Sequence, residues 1–424
     1  MPEALRNRTM HGRLEVEAVR ERFPGLRRRV GDLPAAFLDG PAGSQVPDRV
    51  IEAVGRYLAE TNANSGGAFA TTLASDALLD EAHRAAADLL GTPDAGLTVF
   101  GPNMTTLTLG LARALARTWK PGDEVIVTRL DHDANITPWV LAARDAGATV
   151  RHLRFRADDC TLDLDHLREL LGPRTRLVAA GCASNAVGTV NPVEEITRLA
   201  HAAGALVFLD AVHLAPHALL DVTAWDCDFL CCSAYKFFGP HVGILYGKRT
   251  HLETLPVYKL RPPSEELPHR WETGTQSHEG IAGTLAAIDY LADLGRNGGS
   301  AGLDRRSALR AAFERIGSHE RSLMAGALAA LGAVRGVRVF GITDPCRLDE
   351  RAPTFGFTVA GRTAREVAAS LASRGVFVWS GHFYALSVVH DLGLEPEGLV
   401  RAGFLHYNTA AEVERLRTAL EQLA

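Results

Sequence analysis

An aspartate and a lysine that each follow an apolar stretch are the residues of this sequence most suited to chemistry. Asp210 ends the stretch ALVFLD, and Lys236 lies in SAYKFFGPH, just after DFLCC. A lysine amine in a partly desolvated pocket has a lowered pKa and can form a Schiff base with an aldehyde. A carboxylate beside a pyridine nitrogen keeps that nitrogen protonated, so that the ring accepts electrons. Taken singly, the two residues would be a turn or cap aspartate and a surface lysine.

The segment DAVHLAPH offers a second kind of chemistry, because the spacings of Asp210, His213 and His217 could suggest a metal site. Pro216 stands immediately before the second histidine and disfavours a helix that would bring both imidazoles to one face. The six cysteines form no CxxC pair, and several lie in apolar stretches. We therefore expect no metal site, no disulfide, and thiols that are buried and reduced.

The elements around these residues alternate between short apolar strands and helical patterns, an order typical of a mostly parallel sheet covered by helices. Strands are predicted at 97–100, 124–128, 176–181, 205–210 and 228–232. A helix is predicted to begin at Pro192 and to end at Gly204. Because the carboxyl ends of strands in such sheets face the ligand crevice, Asp210 is placed at the mouth of a site.

The pattern changes after about residue 280, where long helices rich in alanine and leucine are followed by the short strands PTFGFTV and GVFVWSG. We therefore expect an α/β protein with a large domain at 48–290 and a smaller α+β domain at 291–424. Residues 1–47, which include FLDGPAG, are expected to pack on the smaller domain.

The composition restricts the partners of the chain. Its 424 residues carry a formal net charge of −5, which gives no support for binding to nucleic acid or to an anionic membrane surface. No apolar stretch approaches the roughly 20 residues that cross a bilayer, and the first residues lack the apolar core of a secretory signal. A cytoplasmic enzyme that acts on a small molecule is expected.

Ten short motifs, in this order, resemble the class V aminotransferases of PLP fold type I, and within them the cysteine desulfurase-like group. They are LDGPAG, NANSG, VFGPNMTT, RLDHDANITPW, SNAVGTVNP, LDAVH, SAYKFFGP, RWETGTQS, GVFVWSGH and VRAGFLHYNT. The resemblance implies pyridoxal 5′-phosphate as the cofactor, bound to Lys236 as a Schiff base. It further implies that Asp210 pairs with the pyridine nitrogen, that His132 stacks on the ring, and that Asn185 and His213 lie near the phenolic oxygen.

The resemblance also implies where the phosphate of the cofactor binds. The residues expected to hold it within one chain are Asn103, Met104, Thr105, Ser233 and Tyr235. The first three precede a helical pattern, so backbone amides and the helix dipole would face the anion. Gly274 and Thr275 would reach the phosphate of a partner subunit, which predicts a homodimer with shared active sites.

Substrate recognition follows the resemblance at one position and departs from it at two. Arg401 matches the arginine that binds the substrate carboxylate, through two parallel hydrogen bonds. Persulfide-forming desulfurases carry a nucleophilic cysteine in a loop that reads GHFYAL here, with Tyr384 in place of the thiol. Ser65, in the entry loop NANSGGAF, stands where many relatives have a larger residue, so a bulkier substrate is plausible. Tyr384 and Ser65 are predicted to contact the substrate, and the resemblance implies that Asn185 lies near it as well.

These features favour a lyase that cleaves the Cβ–S bond of a substituted cysteine through the cofactor, without an enzyme persulfide. The alternatives are an aminotransferase, an epimerase or a decarboxylating deaminase of the same family. A catalytically silent binding protein of this fold is a further alternative, but the set of Lys236, Asp210, His132 and Arg401 argues against it.

Overall fold

The computed structural model describes residues 14–297 and 302–423. The first thirteen residues of the predicted N-terminal segment 1–47 lie outside the described residues. The described part of that segment contains helix α1 (Val16–Glu21) and the two-residue strands β1 (Arg29–Val30), β2 (Leu33–Pro34) and β3 (Ala36–Phe37).

A seven-stranded sheet occupies the centre of the structure. Its strands are β4 (Thr98–Gly101), β5 (Glu124–Thr128), β6 (Thr149–Leu153), β7 (Thr175–Gly181), β8 (Leu206–Asp210), β9 (Phe229–Ser233) and β10 (Gly243–Gly247). Their spatial order is β4-β10-β9-β8-β7-β5-β6. Strand β10 runs antiparallel to β4 and β9, and every other neighbouring pair is parallel. Most of these strands are buried along their whole length, which explains their continuous apolar runs. The α/β fold with a mostly parallel sheet is therefore confirmed.

Helices cover both faces of this sheet. They are α2 (Asp48–Arg56), α3 (Ala70–Leu90), α4 (Met104–Ala116), α5 (Thr137–Ala146), α6 (Leu164–Leu170), α7 (Val193–Ala202), α8 (Val222–Trp225), α9 (Arg249–Thr254) and α10 (His278–Arg296). Helix α7 begins one residue later than predicted, because Pro192 is its N-cap. A π-helical turn at Tyr57–Thr61 continues α2. Within residues 14–297 and 302–423, none of the helices combines the length and the apolar character needed to cross a bilayer.

A second, four-stranded antiparallel sheet lies in the C-terminal part. The C-terminal part contains the strands β11 (Val337–Phe340), β12 (Thr354–Val359), β13 (Val376–Phe377), β14 (Trp379–Gly381) and β15 (Leu399–Gly403), of which all but β13 belong to this sheet. Its helices are α11 (Arg305–Ala333), α12 (Ala364–Ser373), α13 (Leu386–Asp391) and α14 (Ala410–Glu421). The sheet order is β11-β12-β15-β14, whereas β13 pairs with β3 of the N-terminal segment. The stretch GVFVWSG, predicted as one strand, is thus divided at Val378, because its two halves pair with different strands.

The long helices α10 and α11 join the two sheets. The predicted boundary at residue 290 falls inside α10, and α11 contributes its first half to the core around the large sheet and its second half to the core around the small one. We therefore propose to place the domain division within α11 rather than at 290.

Gly295 permits the close contact between α10 and α11. A Cβ atom at this position would lie 2.8 Å from the carbonyl carbon of Ala308 and would overlap its oxygen. We expect Gly295→Ala to lower the free energy of unfolding by about 1–3 kcal/mol or more, since a backbone must shift to admit the methyl group. Urea-induced unfolding measures this change.

Gly317 in α11 provides the matched control, because no atom lies within 4 Å of the Cβ that alanine would add. Alanine there is expected to stabilise the protein by up to about 1 kcal/mol through its higher helix propensity. Equal unfolding midpoints for the two variants would contradict the inferred contact.

Candidate active site

Asp210 and Lys236 lie at the carboxyl ends of two neighbouring parallel strands. Asp210 is the last residue of β8, and Lys236 ends a single helical turn that follows β9. The Lys236 Nζ donates hydrogen bonds to the carbonyl oxygens of Pro41 and Ala42, at 2.5 and 3.1 Å. Burial and, to a smaller extent, the nearby Arg401 lower the pKa of Lys236 to about 7, while Asp210 opposes the shift. The amine is thus poised to lose its proton near neutral pH.

The Asp210 carboxyl group is buried beside the lysine. Burial raises its pKa to about 6, although Oδ1 accepts a hydrogen bond from the amide of Val212 at 2.9 Å. A carboxyl group in this position is ready to accept a hydrogen bond from a cationic partner, which would restore its ordinary acidity. A protonated pyridine nitrogen is such a partner.

His132 lies in the loop after β5, on the same side of the sheet. Its Nδ1 accepts a hydrogen bond from the amide of Ala134 at 3.0 Å. Burial lowers the pKa of His132 to about 4, with smaller contributions from Lys236 and Arg401. The imidazole is therefore neutral at physiological pH and presents a flat face on which an aromatic ring can stack.

Arg401 reaches the site from strand β15 of the small sheet. Its guanidinium donates to the carbonyl oxygen of Asn185 at 2.9 Å, and its Nε has no hydrogen-bond partner among the described residues. The buried Oδ1 of Asn185 likewise has no partner in residues 14–297 and 302–423. Burial lowers the pKa of Arg401 to about 9. A buried guanidinium without a carboxylate partner is costly unless an anionic ligand completes the site.

His213 lies in the turn that follows β8. Its Nε2 is 3.0 Å from the Thr354 hydroxyl, and burial holds its pKa well below the ordinary value. His217, considered above as a metal ligand, instead contacts the buried Glu320 through Nδ1 at 2.9 Å. Across the described ranges, no three His, Cys, Asp or Glu side chains are grouped so as to hold a metal ion.

The residues predicted for phosphate binding gather where α4 begins. The Asn103 side chain caps this helix by accepting a hydrogen bond from the Thr106 amide at 2.9 Å. The Met104 amide, expected to be available to phosphate, donates to the Ser233 hydroxyl at 3.0 Å in this structure. Thr105 occupies the first turn of the helix, where amides lack intrahelical partners.

Tyr235 borders the same space as Lys236. Its ring stacks on His241 with centroids 5.0 Å apart, and the Lys236 Nζ lies 4.9 Å from the centre of the tyrosine ring. This contact favours the protonated form of the amine, in opposition to burial.

Three other predicted residues are exposed and stand apart from this buried set. Gly274 and Thr275 lie in the exposed segment before α10, and the Gly274 carbonyl accepts a hydrogen bond from Gln276. Ser65 is exposed in the loop before α3, where the neighbouring Gly66 donates to Asp76. None of the hydrogen bonds of Lys236 in residues 14–297 and 302–423 involves these three residues.

Tyr384 is exposed as well, but it contacts the site directly. Its ring lies over that of His132 with centroids 5.1 Å apart and an interplanar angle of 24°. The adjacent Phe383 covers the Arg401 guanidinium, at 4.2 Å from the ring centre.

The sequence-based reasoning missed several contributors to this site. These are the carbonyl oxygens of Pro41 and Ala42, the half-buried Asp39 with its buried Oδ1, and the side chains of Phe383, Thr354 and Glu320. The motifs LDGPAG and GHFYAL contain the first four, so motif membership was an available signal for them. Neither spacing nor residue type pointed to Thr354 or Glu320, because they are distant in sequence from their partners.

The arrangement fits pyridoxal 5′-phosphate. The cofactor aldehyde would react with the Lys236 amine, whose pKa is lowered. An amino-acid carboxylate would engage the buried polar atoms of Arg401 and Asn185 that have no partner among the described residues. The buried Asp210 carboxyl group suits a pyridine nitrogen, and the neutral His132 imidazole suits the face of the ring. The start of α4 suits the phosphate.

The lowered pKa of Lys236 predicts how pH affects capture of this cofactor by the apoprotein. Only the neutral amine attacks an aldehyde, and each pH unit below the pKa reduces its fraction about tenfold. The rate of capture is therefore expected to rise with pH up to about 7 and then to level off. Stopped-flow absorbance after mixing apoprotein with pyridoxal phosphate measures this rate. A rate that keeps rising to pH 10 would indicate an ordinary, solvated lysine.

Comparison with known proteins supplies independent information about the chain. The family model described as aminotransferase class-V matches residues 36–416. The aminotransferase-like protein FGM3 of Gibberella zeae is 34% identical over 420 residues, which cover 96% of this chain and 98% of that protein. A probable cysteine desulfurase of Mycolicibacterium paratuberculosis is 33% identical over 98% of this chain, but the match spans 59% of that relative's length.

A solved structure agrees with this picture. The cysteine desulfurase CsdA (S-sulfonic acid) of Escherichia coli superimposes with a TM-score of 0.82 at 29% identity. The match covers 97% of this chain and 98% of the E. coli chain.

Proposed function

The chain belongs to the class-V aminotransferase family of pyridoxal-phosphate enzymes, and on that premise we propose that it cleaves the Cβ–S bond of a substituted cysteine without forming a persulfide. The overall net reaction converts the substituted cysteine and one water into a thiol, pyruvate and ammonia. The observation that carries the proposal is the site loop at Gly381–Leu386, which holds Tyr384 packed on His132 and no thiol.

The cysteines of the chain support this proposal. Cys160, Cys182, Cys227, Cys231 and Cys232 are buried, and burial raises the pKa of each of these thiols. Cys346 is exposed, but it lies in the 3₁₀ helix Pro345–Glu350 rather than in the site loop. A thiol with a raised pKa is a poor nucleophile at neutral pH.

The cofactor, when bound, supplies an aldehyde for an amino group and a ring that stabilises negative charge at Cα. The residues proposed to hold it are Lys236, Asp210, His132, His213, Asn185, Asn103, Met104, Thr105, Ser233 and Tyr235. Asp210 and His132 would fix the plane of the ring, and the amides at the start of α4 would face its phosphate.

Lys236 is proposed to move the proton that starts the reaction. Its amine is buried, and with a pKa of about 7 it is substantially neutral at physiological pH. The Nζ takes the proton from Cα of the substrate, and loss of the thiolate from Cβ then forms the Cα–Cβ double bond. The carbonyl oxygens of Pro41 and Ala42 provide acceptors for the resulting ammonium.

Arg401 and Asn185 are proposed to orient the substrate. The guanidinium offers its unpaired Nε to the α-carboxylate, and Asn185 lies within hydrogen-bond distance of the same arginine. Ser65, Gly274 and Thr275 are exposed in one chain. We propose that they complete the site of a second copy in a homodimer.

Transamination is the second candidate, favoured by one finding. The relative FGM3, which is 34% identical over 96% of this chain, is named an aminotransferase-like protein. In transamination the same lysine would return the proton on the cofactor side, and the substrate would lose no group from Cβ. The two reactions therefore share every residue named above.

Incubation of the purified holoenzyme with S-methyl-L-cysteine tests the proposal. Equal amounts of methanethiol and pyruvate, formed over many turnovers, are expected. With L-alanine as the control substrate, no catalytic pyruvate should form in the absence of a 2-oxo acid acceptor. Sustained pyruvate formation from alanine on adding such an acceptor, with none from S-methyl-L-cysteine, would replace the lyase with the aminotransferase.

A further inference from the structure

The loop between β14 and α13 has an unusual backbone. Phe383 and Tyr384 both adopt left-handed conformations, with φ of 53° and 59°. For residues other than glycine this conformation costs roughly 1–2 kcal/mol each, so surrounding contacts must hold it.

Contacts from the candidate site help to hold the loop, in addition to a hydrogen bond from the Tyr384 amide to His382 within it. The Phe383 carbonyl accepts a hydrogen bond from the Asn185 side chain at 2.9 Å, and the Tyr384 carbonyl accepts one from the Asp133 amide at 2.8 Å. The Phe383 ring covers Arg401, and the Tyr384 ring lies over His132. The two rings therefore contact both Arg401, which is proposed to bind the substrate carboxylate, and His132, which is proposed to face the cofactor.

The chain segment that contains these rings also carries other exposed large apolar side chains. Tyr384 is 64% exposed, and the same segment contains Trp379 at 53% and Leu386 at 49% exposure. Exposed large apolar side chains beside a buried polar site are a frequent mark of ligand binding, and Tyr384 contacts His132 of that site directly. A substrate held by Arg401 would lie next to the Phe383 ring, which is 4.2 Å from the guanidinium.

We infer that Phe383 and Tyr384 form a fixed aromatic wall that binds the substituent on the substrate sulfur, and that the enzyme prefers L-cysteine conjugates with a flat, apolar group. This inference rests on the proposed lyase function. Aromatic rings prefer such partners, because offset stacking and edge contacts add to the gain from removing apolar surface from water. The strained backbone is consistent with this role, since it keeps the rings in place before the substrate arrives.

The test compares S-methyl-L-cysteine with S-benzyl-L-cysteine, which both release alkyl thiolates and so differ mainly in the size and shape of the substituent. Dissociation constants come from the change in cofactor absorbance on binding, and kcat/KM comes from thiol release. The holoenzyme is expected to bind the benzyl conjugate at least about tenfold more tightly. Tyr384→Phe should retain this preference.

Removal of the ring should abolish the preference. In Tyr384→Ala, the two conjugates are expected to bind within about threefold of each other, because the ring that favours the benzyl group is gone. Tyr384→Gly is the second variant, because glycine accepts the left-handed backbone and keeps the loop folded. Leu33→Ala, in the N-terminal strand β2 and 50% exposed, is the control for loss of an exposed apolar side chain and should behave as the wild type.

Two different failures are separable. If thiol is released, the aromatic wall would be overturned by equal affinity of the wild type for both conjugates. An equal loss of affinity for both conjugates in Tyr384→Ala would overturn it as well. Absence of thiol and pyruvate from every conjugate would overturn the lyase function itself.

Discussion

Replacement of Lys236 by alanine is expected to lower kcat by at least about 10²–10⁴-fold, the range associated with loss of a positioned acid or base. The physical reason is that Lys236 is the amine of lowered pKa in the site and lies next to Asp210. Steady-state assay of thiol and pyruvate release measures the loss. Reduction of the wild-type holoenzyme with borohydride, followed by peptide mass analysis, should place the cofactor on the peptide that contains residue 236.

Two controls make this result specific. Lys120→Ala removes an exposed lysine and should leave both kcat and the labelling unchanged. The Lys236→Ala protein should unfold at the same temperature as the apo wild type or above it, because burial of an amine disfavours its charged form. A variant that retained wild-type turnover, or borohydride labelling of another lysine in the wild type, would refute the assignment.

Replacement of Arg401 by glutamine is expected to reduce kcat/KM by roughly 10²- to 10³-fold, as found when one partner of a buried charged pair is removed. Most of the loss should be in KM if the carboxylate is bound equally before and during the reaction. Arg401→Lys should recover only part of the loss, because an ammonium cannot form two parallel hydrogen bonds with a carboxylate.

Stability measurements separate this role from a structural one. Among residues 14–297 and 302–423, no carboxylate forms an ion pair with Arg401, and its Nε is unpaired. Removing the charge should therefore leave the melting temperature of the ligand-free protein unchanged or raise it. Arg335→Gln, at an exposed position of the loop before β11, is the control for loss of one positive charge. A large loss of stability in Arg401→Gln without a change in KM would indicate a structural arginine.

The reduction of activity by these two variants would not identify the reaction, because Lys236 and Arg401 serve both the lyase and the aminotransferase. Fold and cofactor residues are shared by many reactions, and the outcome depends on the groups around Cβ of the substrate. The loop that contains Phe383 and Tyr384 is the part of the described structure that contacts both His132 and Arg401. Substrate preference in the Tyr384 variants therefore gives more information about the reaction than loss of activity at Lys236.

The sequence by itself determined the layered α/β fold and the cofactor. Continuous apolar runs such as EVIVT and ALVFLD specify buried parallel strands, because both faces of such strands are covered by helices. The position of Asp210 at a strand end follows from that pattern, since the carboxyl ends of parallel strands share one edge. The motif around Lys236 then pointed to pyridoxal phosphate, which the family match independently supports.

Only the tertiary structure decided how the two sheets share the site. Arg401 on β15 meets Asn185 in the loop after β7, and Glu320 in α11 meets His217 after β8, across separations that no local pattern encodes. The division of GVFVWSG into β13 and β14 also depended on distant strands, because strand pairing is set by long-range contacts rather than by propensity. Burial, which shifts the pKa values of Lys236, Asp210 and His132, likewise arises only when the chain folds around them.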